Sequence, residues 1–506
     1  MEFETILGYL ENKTILITGA TGFVGKVLVE KILRVQPDVK KLYLLIRASG
    51  ANSATQRMHN EITGKELFKV LRKKCGANFD SFISEKVVAL SGDVTFEDLG
   101  VKASKLKEEM CNEIQIILNS AAITKLHERY DVALAVNTFG VVNVLDFAKK
   151  CLKLEMVVHV STAYVCGERG GLILEDSSSM DEMAKKTTKF DFKAHEKKMV
   201  ESKLKELRAQ NASEEAITST MKEFGIARSN FYGWPNTYTF TKVMGEMYLG
   251  NSKGNLHVAV VRPTMITSTY KEPFSGWIEG FRTYDSLIGG YWKGKLTCIP
   301  VDPMSVVDID PMSVVDMIPV DMVVNSIITA MVVNANKSHK IIYHVGTSLR
   351  NPLKFSDFNN FMFQYCTKNP WLYNDGSPVE VGKLKMVRTM ADFHLHMKIR
   401  SMLPVQALKF QNKEFDQYFQ DIYVNYNQKV KSVIRLVELY KPYLLFEGIF
   451  DDTNSEELRS IASEKYMDAG GFNFDPKCID WEDYYMHTHI RGLAKHVIIK
   501  HNQSRL

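Results

Sequence analysis

The chain has 506 residues, 45% of them hydrophobic and 24% charged, with a formal net charge of +5. This is the balance of a globular protein, not of a disordered or fibrous one, and the length exceeds what one ordinary core fills, so two domains are expected. So small a charge excess gives no case for a nucleic-acid partner and allows only a weak preference for anionic cofactors or lipid surfaces. In chain order, Thr14-Ile-Leu-Ile-Thr18 predicts a buried strand, residues 23–35 a helix that stops before Pro37, and residues 41–47 the next strand. Further strands are expected over 86–90, 114–118, 156–160 and 257–261. Continuous apolar runs of this kind suit a parallel sheet covered on both faces, and their alternation with helices predicts an α/β fold with a doubly wound parallel sheet.

Residues 181–224 are dense in Lys and Glu at helical spacing, and they predict a solvated helical insertion spanning about 169–230. Ser213 reads as a helix start and Gly225 as a stop. Farther on, Asp302-Pro-Met-Ser-Val-Val-Asp308 recurs as Asp310-Pro-Met-Ser-Val-Val-Asp316. Two copies are too few for a solenoid and read as a tandem duplication lengthening a loop. Beyond about residue 350 the strand pattern fades into an aromatic and basic, mainly helical stretch. The expected division is therefore 1–350 and a smaller domain over 351–506. The seven cysteines are scattered and never paired as Cys-x-x-Cys, so neither a disulfide framework nor a zinc site is expected. The first residues lack the composition of a signal or transit peptide, and no apolar run is long enough to predict a spanning helix.

The loop Gly19-Ala-Thr-Gly22-Phe-Val-Gly25 follows the first strand directly and opens the first helix. In that setting the glycines have separate tasks: Gly19 for the tight turn, Gly22 for approach of a pyrophosphate, Gly25 for helix–strand packing. The helix N-terminus adds free N–H groups for phosphates. A Rossmann-type dinucleotide cradle made by Thr18, Gly19, Thr21, Gly22, Phe23, Val24 and Gly25 is the expectation. The second strand ends at Arg47 where an acidic residue would bind the ribose of NAD. An arginine there can pair with a 2′-phosphate, so NADPH is favoured.

Tyr238-Thr-Phe-Thr-Lys242 follows Pro235 and precedes Gly250, which predicts a helix over about 237–249 with Tyr238 and Lys242 on one face. An adjacent ammonium should lower the phenol pKa and make Tyr238 a workable proton donor to an oxygen gaining charge during hydride attack. Met156-Val-Val-His-Val-Ser161-Thr162 ends a strand with a hydroxyl pair at the carboxyl edge, where it can hold a substrate oxygen.

These three elements together resemble the extended short-chain dehydrogenase/reductase superfamily. The resemblance implies that Thr162 orients the carbonyl, that Tyr238 is the acid, and that Lys242 tunes it and holds ribose. It also implies cofactor contacts at Asp93, Asn119, Ala121, Pro263 and Thr264. Longer strings narrow the resemblance. Gly233-Trp-Pro-Asn-Thr-Tyr238, Glu272-Pro-Phe-Ser-Gly-Trp277, Glu447-Gly-Ile-Phe-Asp-Asp-Thr-Asn454 and Phe474-Asp-Pro-Lys-Cys-Ile-Asp-Trp481 are similar to the plant alcohol-forming fatty acyl-CoA reductases, the last to their C-terminal male-sterility domain. That family implies two successive NADPH-dependent reductions, long-chain acyl-CoA to aldehyde and aldehyde to primary alcohol. No acyl-cysteine is needed. It also implies peripheral association with the endoplasmic reticulum.

The duplicated segment departs from that family's pattern, and His127 reads as a surface histidine. Residues 393–405 mix basic and apolar side chains, which suits either a membrane interface or an ordinary helix of the second domain. Two other readings stay open at this point. A sugar-nucleotide epimerase or dehydratase would want an acidic residue in place of Arg47, and a catalytically silent NADP-binding protein would not need Thr162, Tyr238 and Lys242 together.

Overall fold

The computed structural model describes residues 3–178, 192–301, 314–336, 340–373, 375–403 and 416–498. Seven parallel strands form the central sheet: β1 (Thr14–Thr18), β2 (Lys41–Ile46), β3 (Val87–Ser91), β4 (Ile116–Asn119), β5 (Met156–Val160), β6 (Val258–Pro263) and β7 (Lys340–Val345). Their order across the sheet is β7-β6-β5-β4-β1-β2-β3. The chain winds outward from β1 in one direction and, from β4, in the other. A crevice therefore opens beyond the carboxyl ends of β1 and β4, where such sheets bind ligands. The predicted strands fall within two residues of the observed ones. The seventh, β7, lies beside β6 and was not among the predicted strands.

Alternation along each strand divides the core into two layers. Ile15, Ile17, Leu42, Leu44, Ile116, Leu118, Met156, Val158, Ala259 and Val261 enter one layer, whereas Leu16, Tyr43, Leu45, Ile117, Val157, Val258 and Val260 enter the other. The first layer packs on the helices Phe23–Val35 and Val320–Val333. The second packs on the helices Gly140–Ala148 and Thr237–Ser252. The run Tyr130–Ala148 is long and apolar enough to cross a membrane by composition, yet 67% of it is buried inside this fold.

The charged insertion supplies two helices, Phe192–Ala209 and Glu214–Tyr232, while its residues 179–191 lie outside the described residues. Ser213 caps the second helix as expected, its Oγ accepting from Ala216 N at 3.2 Å. Gly225 does not stop it. This glycine is buried within the helix against Tyr130 and Thr237, so it serves close packing. The helix ends at Gly233, whose φ of +95° reverses the chain where a side chain would be strained.

Beyond residue 350 the chain is mainly helical, with helices Phe355–Lys368, Met390–Met397, Asp416–Leu444 and Thr453–Lys465. Among the described residues the first hydrophobic layer has members on both sides of that boundary, from Ile6 to Ile498. A short strand at Gly448–Phe450 even pairs in parallel with Gly171–Ile173, at the start of the insertion. Residues 302–313, which hold the first copy of the repeat and most of the second, lie outside the described residues. The end of the second copy is firmly placed. Val314–Val315 pairs with Leu353–Lys354, and the buried Asp316 accepts from Thr347 N at 2.8 Å and Ser348 N at 3.2 Å.

Candidate active site

The crevice contains two adjoining cavities, of about 230 and 890 Å³, that share Gly19, Gly22, Ser120 and Ala122. Gly19 follows β1 with a φ of +71°, and a Cβ on it would sit 2.6 Å from Ala121 N, so both conformation and space require glycine. A Cβ on Gly25 would overlap the Gly19 carbonyl. Gly22 caps the helix Phe23–Val35 without a side-chain bond, and Phe23, Val24 and Gly25, whose N–H groups lead that helix, line the larger cavity. A bare helix start beside a cradle that side chains would fill fits the pyrophosphate of a dinucleotide. The smaller cavity is lined by Thr21, Arg47, Asp93 and Ala121 among others. Arg47 stands exposed at its rim, and its carbonyl accepts from Arg57. Asp93 Oδ1 accepts from Thr95 N at 2.9 Å.

The larger cavity brings Ser161, Thr162, Tyr238, Pro263 and Thr264 to the same walls as the glycine loop. Tyr238 stands in the first turn of the helix Thr237–Ser252, which Asn236 caps by accepting from Thr239 N at 3.0 Å. Thr162 follows β5 by two residues, and its Oγ accepts from Tyr164 N at 3.4 Å. Burial lifts the Tyr238 pKa to about 12, opposed by a hydrogen bond from Thr162. The Ser161 hydroxyl neighbours the Glu246 carboxylate instead. Thr162 is thus the member of the hydroxyl pair that meets Tyr238.

Three predicted residues line neither cavity. Thr18, Asn119 and Lys242 are buried directly beneath them. The expectation that Lys242 lowers the Tyr238 pKa is corrected by the geometry: the lysine nitrogen donates to Val160 O at 2.8 Å, and burial dominates the phenol. Burial also lowers Lys242, to about 8, against the pull of Glu246. His127, expected on the surface, is half-buried and lines the larger cavity, with its pKa lowered by burial and by Lys222.

The sequence reading missed the far wall. Arg435, Leu439, Tyr440 and Tyr443, all from the helix Asp416–Leu444, close the larger cavity opposite the glycine loop. Tyr443 Oη accepts from Asn236 Nδ2 at 3.2 Å, and its ring meets Tyr164 edge-on at 4.9 Å. The C-terminal segment therefore touches the residue that caps the Tyr238 helix. The only local signal was the Tyr440/Tyr443 spacing on a helix, which does not say what it faces. Among the described residues, no cysteine lines either cavity. Elsewhere the buried Ser268, His489 and Asp285 form a chain, with His489 Nδ1 and Ser268 Oγ 3.1 Å apart and His489 Nε2 and Asp285 Oδ1 3.0 Å apart. They too line neither cavity, and Tyr484 Oη donates to the Ser268 carbonyl at 2.8 Å, so they join the last helices to the sheet side.

A family model described as male sterility protein matches residues 17–327, and a second of the same description matches residues 400–500. The alcohol-forming fatty acyl-CoA reductase of Simmondsia chinensis is 49% identical over 98% of this chain and 99% of its own length. Fatty acyl-CoA reductase 1 of Arabidopsis thaliana is 48% identical over 97% of this chain and 98% of its own. Among solved structures, the terminal R domain from the myxalamid PKS-NRPS biosynthetic pathway superposes with a TM-score of 0.56 at 16% identity, covering 96% of this chain and 91% of that one. The R domain of a nonribosomal peptide synthetase from Mycobacterium tuberculosis gives 0.51 at 16% identity, over 90% and 86%. At that identity the likeness is one of fold.

Proposed function

We propose, from the premise that the chain belongs to the fatty acyl-CoA reductase family, that this oxidoreductase reduces long-chain or very-long-chain acyl-CoA to the primary alcohol with NADPH. The observation that carries the reading is the meeting of Thr162 and Tyr238 on one cavity wall with the glycine loop beside them. A bound nicotinamide supplies hydride. The chain supplies the rest. Thr162 and Tyr238 hold the carbonyl oxygen, and Tyr238, a phenol that burial keeps well within its neutral range at ordinary pH, has a proton to give as charge develops there. Both reductions place charge on the same kind of oxygen, so one pair serves the thioester, whose hydride adduct loses CoA as the thiol to leave the aldehyde, and then the aldehyde itself. Lys242 is proposed to support the ribose and the acid from beneath. Arg47, a cation at the rim of the smaller cavity, is proposed to pair with the 2′-phosphate. Leu439, Tyr440 and Tyr443 of the helix Asp416–Leu444 are proposed to meet the acyl chain, with Arg435 and Glu438 on the same wall.

The alcohols would feed wax, cutin or suberin-type lipids made at the cytosolic face of the endoplasmic reticulum. Leu395, Ile399 and Leu403 support a lipid contact: each is exposed, they recur every fourth residue, and Lys398 and Arg400 lie between them. Phe393 and Met397 of the same stretch are buried, so the inner face packs as an ordinary helix while the outer face is bare. Lipid analysis of yeast expressing the chain tests the reaction. New primary fatty alcohols, absent with Tyr238→Phe, are expected; alcohols made equally by that variant would remove the proposed acid.

A further inference from the structure

Beneath the cavities runs a buried series of polar groups that ends at Lys242, and the proposed reaction leaves the three before it without a task. The Thr18 hydroxyl accepts from Ala121 N at 3.2 Å and donates to Asn119 Oδ1 at 2.7 Å. Asn119 Nδ2 faces His159 Nδ1 at 3.0 Å, and His159 Nε2 lies 3.5 Å from Lys242 Nζ. Each of these four side chains is at most 3% exposed.

The series has a direction. With an N–H already held from Ala121, the Thr18 hydroxyl still has its own proton to place, and the Asn119 oxygen is the acceptor beside it. An amide that accepts on Oδ1 turns its NH₂ toward His159. A ring nitrogen opposite an NH₂ carries a lone pair, so the imidazole proton sits on Nε2, the nitrogen that faces Lys242. Burial, reinforced by Lys242, holds the His159 pKa well below the usual histidine range, so the ring is neutral.

An N–H aimed at an amine favours one charge state over the other. An ammonium has only donors, whereas a neutral amine has a lone pair to accept. We infer that His159 is a positioning residue for Lys242: fixed as the Nε2–H tautomer by Asn119 and Thr18, it opposes the charged form of the lysine and couples it to the strand that opens the glycine loop. The catalytic use of this coupling rests on the proposed role of Lys242. The other groups bearing on the lysine are few. Glu246 lies one turn farther along its helix, with its carboxylate held by Arg262 of β6 at 2.7 Å. Tyr238 lies one turn earlier. Asn137 and Thr138, which bond Thr241 from the other side, carry no charge. The lowered pKa of Lys242 agrees with this environment.

The test uses the full chain labelled with ¹³C at lysine Cε, the Lys242 resonance being identified by its loss in Lys242→Arg. Its titration is compared in the unchanged protein, His159→Leu and His159→Gln. Leucine removes the N–H, and the Lys242 midpoint is expected to rise by about half a pH unit or more, a threefold change in proton affinity. The alkaline limb of kcat/KM should move the same way. Glutamine, whose amide can return an N–H near the Nε2 position, should restore both. An unmoved or lowered midpoint in folded His159→Leu overturns the inference, as does an equal shift in both variants. ¹⁵N-histidine spectra of the unchanged chain supply a check that needs no variant: a proton on Nδ1 overturns it. The lysine titration is read without turnover, so failure of the coupling is distinguishable from failure of the reductase reading, which Tyr238→Phe addresses.

Discussion

Tyr238 keeps its proton because its surroundings make the phenolate costly. Burial raises its pKa to about 12 against the smaller, opposite influence of the Thr162 hydrogen bond, and the hydroxyl is protonated across ordinary pH. A general acid of this kind contributes about 100-fold or more, so Tyr238→Phe should lower kcat by at least that factor while NADPH affinity, measured by fluorescence titration, is unchanged. Arg47 is the residue-scale test of cofactor choice. A charge-assisted pair with a 2′-phosphate is worth about 1.5–3 kcal/mol, so Arg47→Ala should weaken NADPH binding by about 10-fold or more with NADH little changed. Equal losses for both cofactors would argue against the phosphate contact. At this scale the motifs were legible because each is contiguous: the glycine loop, Ser161-Thr162 and Tyr238 to Lys242 declare their chemistry within a few residues. The actual neighbour of Lys242 was not legible, since Val160 and His159 approach it from a strand some 80 residues away.

At the scale of elements, the helix that carries Tyr238 depends on one cap. Asn236 accepts from Thr239 N and gives its amide to Tyr443, so Asn236→Ala removes both bonds at once. A loss of about 1 kcal/mol is expected from the cap, seen as a lower midpoint in chemical denaturation. A loss of kcat beyond what the denaturation midpoint accounts for would show that the cap also aims Tyr238. Repeat copies offer the opposite case. Asp316, from the second copy, already binds Thr347 and Ser348. Deleting residues 302–309 leaves that copy intact, and thermal midpoint and activity should both be retained; a large fall in either would give the first copy a structural role. Local pattern placed six of seven strands. It misread Gly225, because a glycine required by a tight helix crossing looks the same in sequence as one that ends a helix. It passed over β7, whose Lys340-Ile-Ile-Tyr-His-Val345 mixes polar and apolar residues and is defined by pairing with β6.

For the whole molecule, the outward face of residues 395–403 sets a measurable property. The double change Leu395→Asp and Ile399→Asp reverses the character of that face and should abolish co-sedimentation with anionic vesicles while leaving the thermal midpoint within a few degrees, since both side chains are already exposed. Undiminished binding would argue against the proposed lipid contact at this face. The joining of the two halves is likewise a property of the whole chain, and little of it was visible beforehand. The expected boundary near residue 350 came from a real change in pattern, strands giving way to helices. Composition does not reveal that Tyr443 closes the cavity or that His489 reaches Asp285, because both contacts join positions far apart in the chain.

The layer that reaches from Ile6 to Ile498 also sets a schedule for synthesis. The backbone N–H groups of Ile6 and Leu7 are received by the Asp468 carboxylate at 2.7 and 2.9 Å, so the helix Ile6–Leu10 is completed by a residue more than 460 positions later in the chain. At common elongation rates of about 5–20 residues per second, roughly 20 to 100 seconds separate the two. Through that interval the helix Ile6–Leu10 is without the carboxylate that receives its first N–H groups.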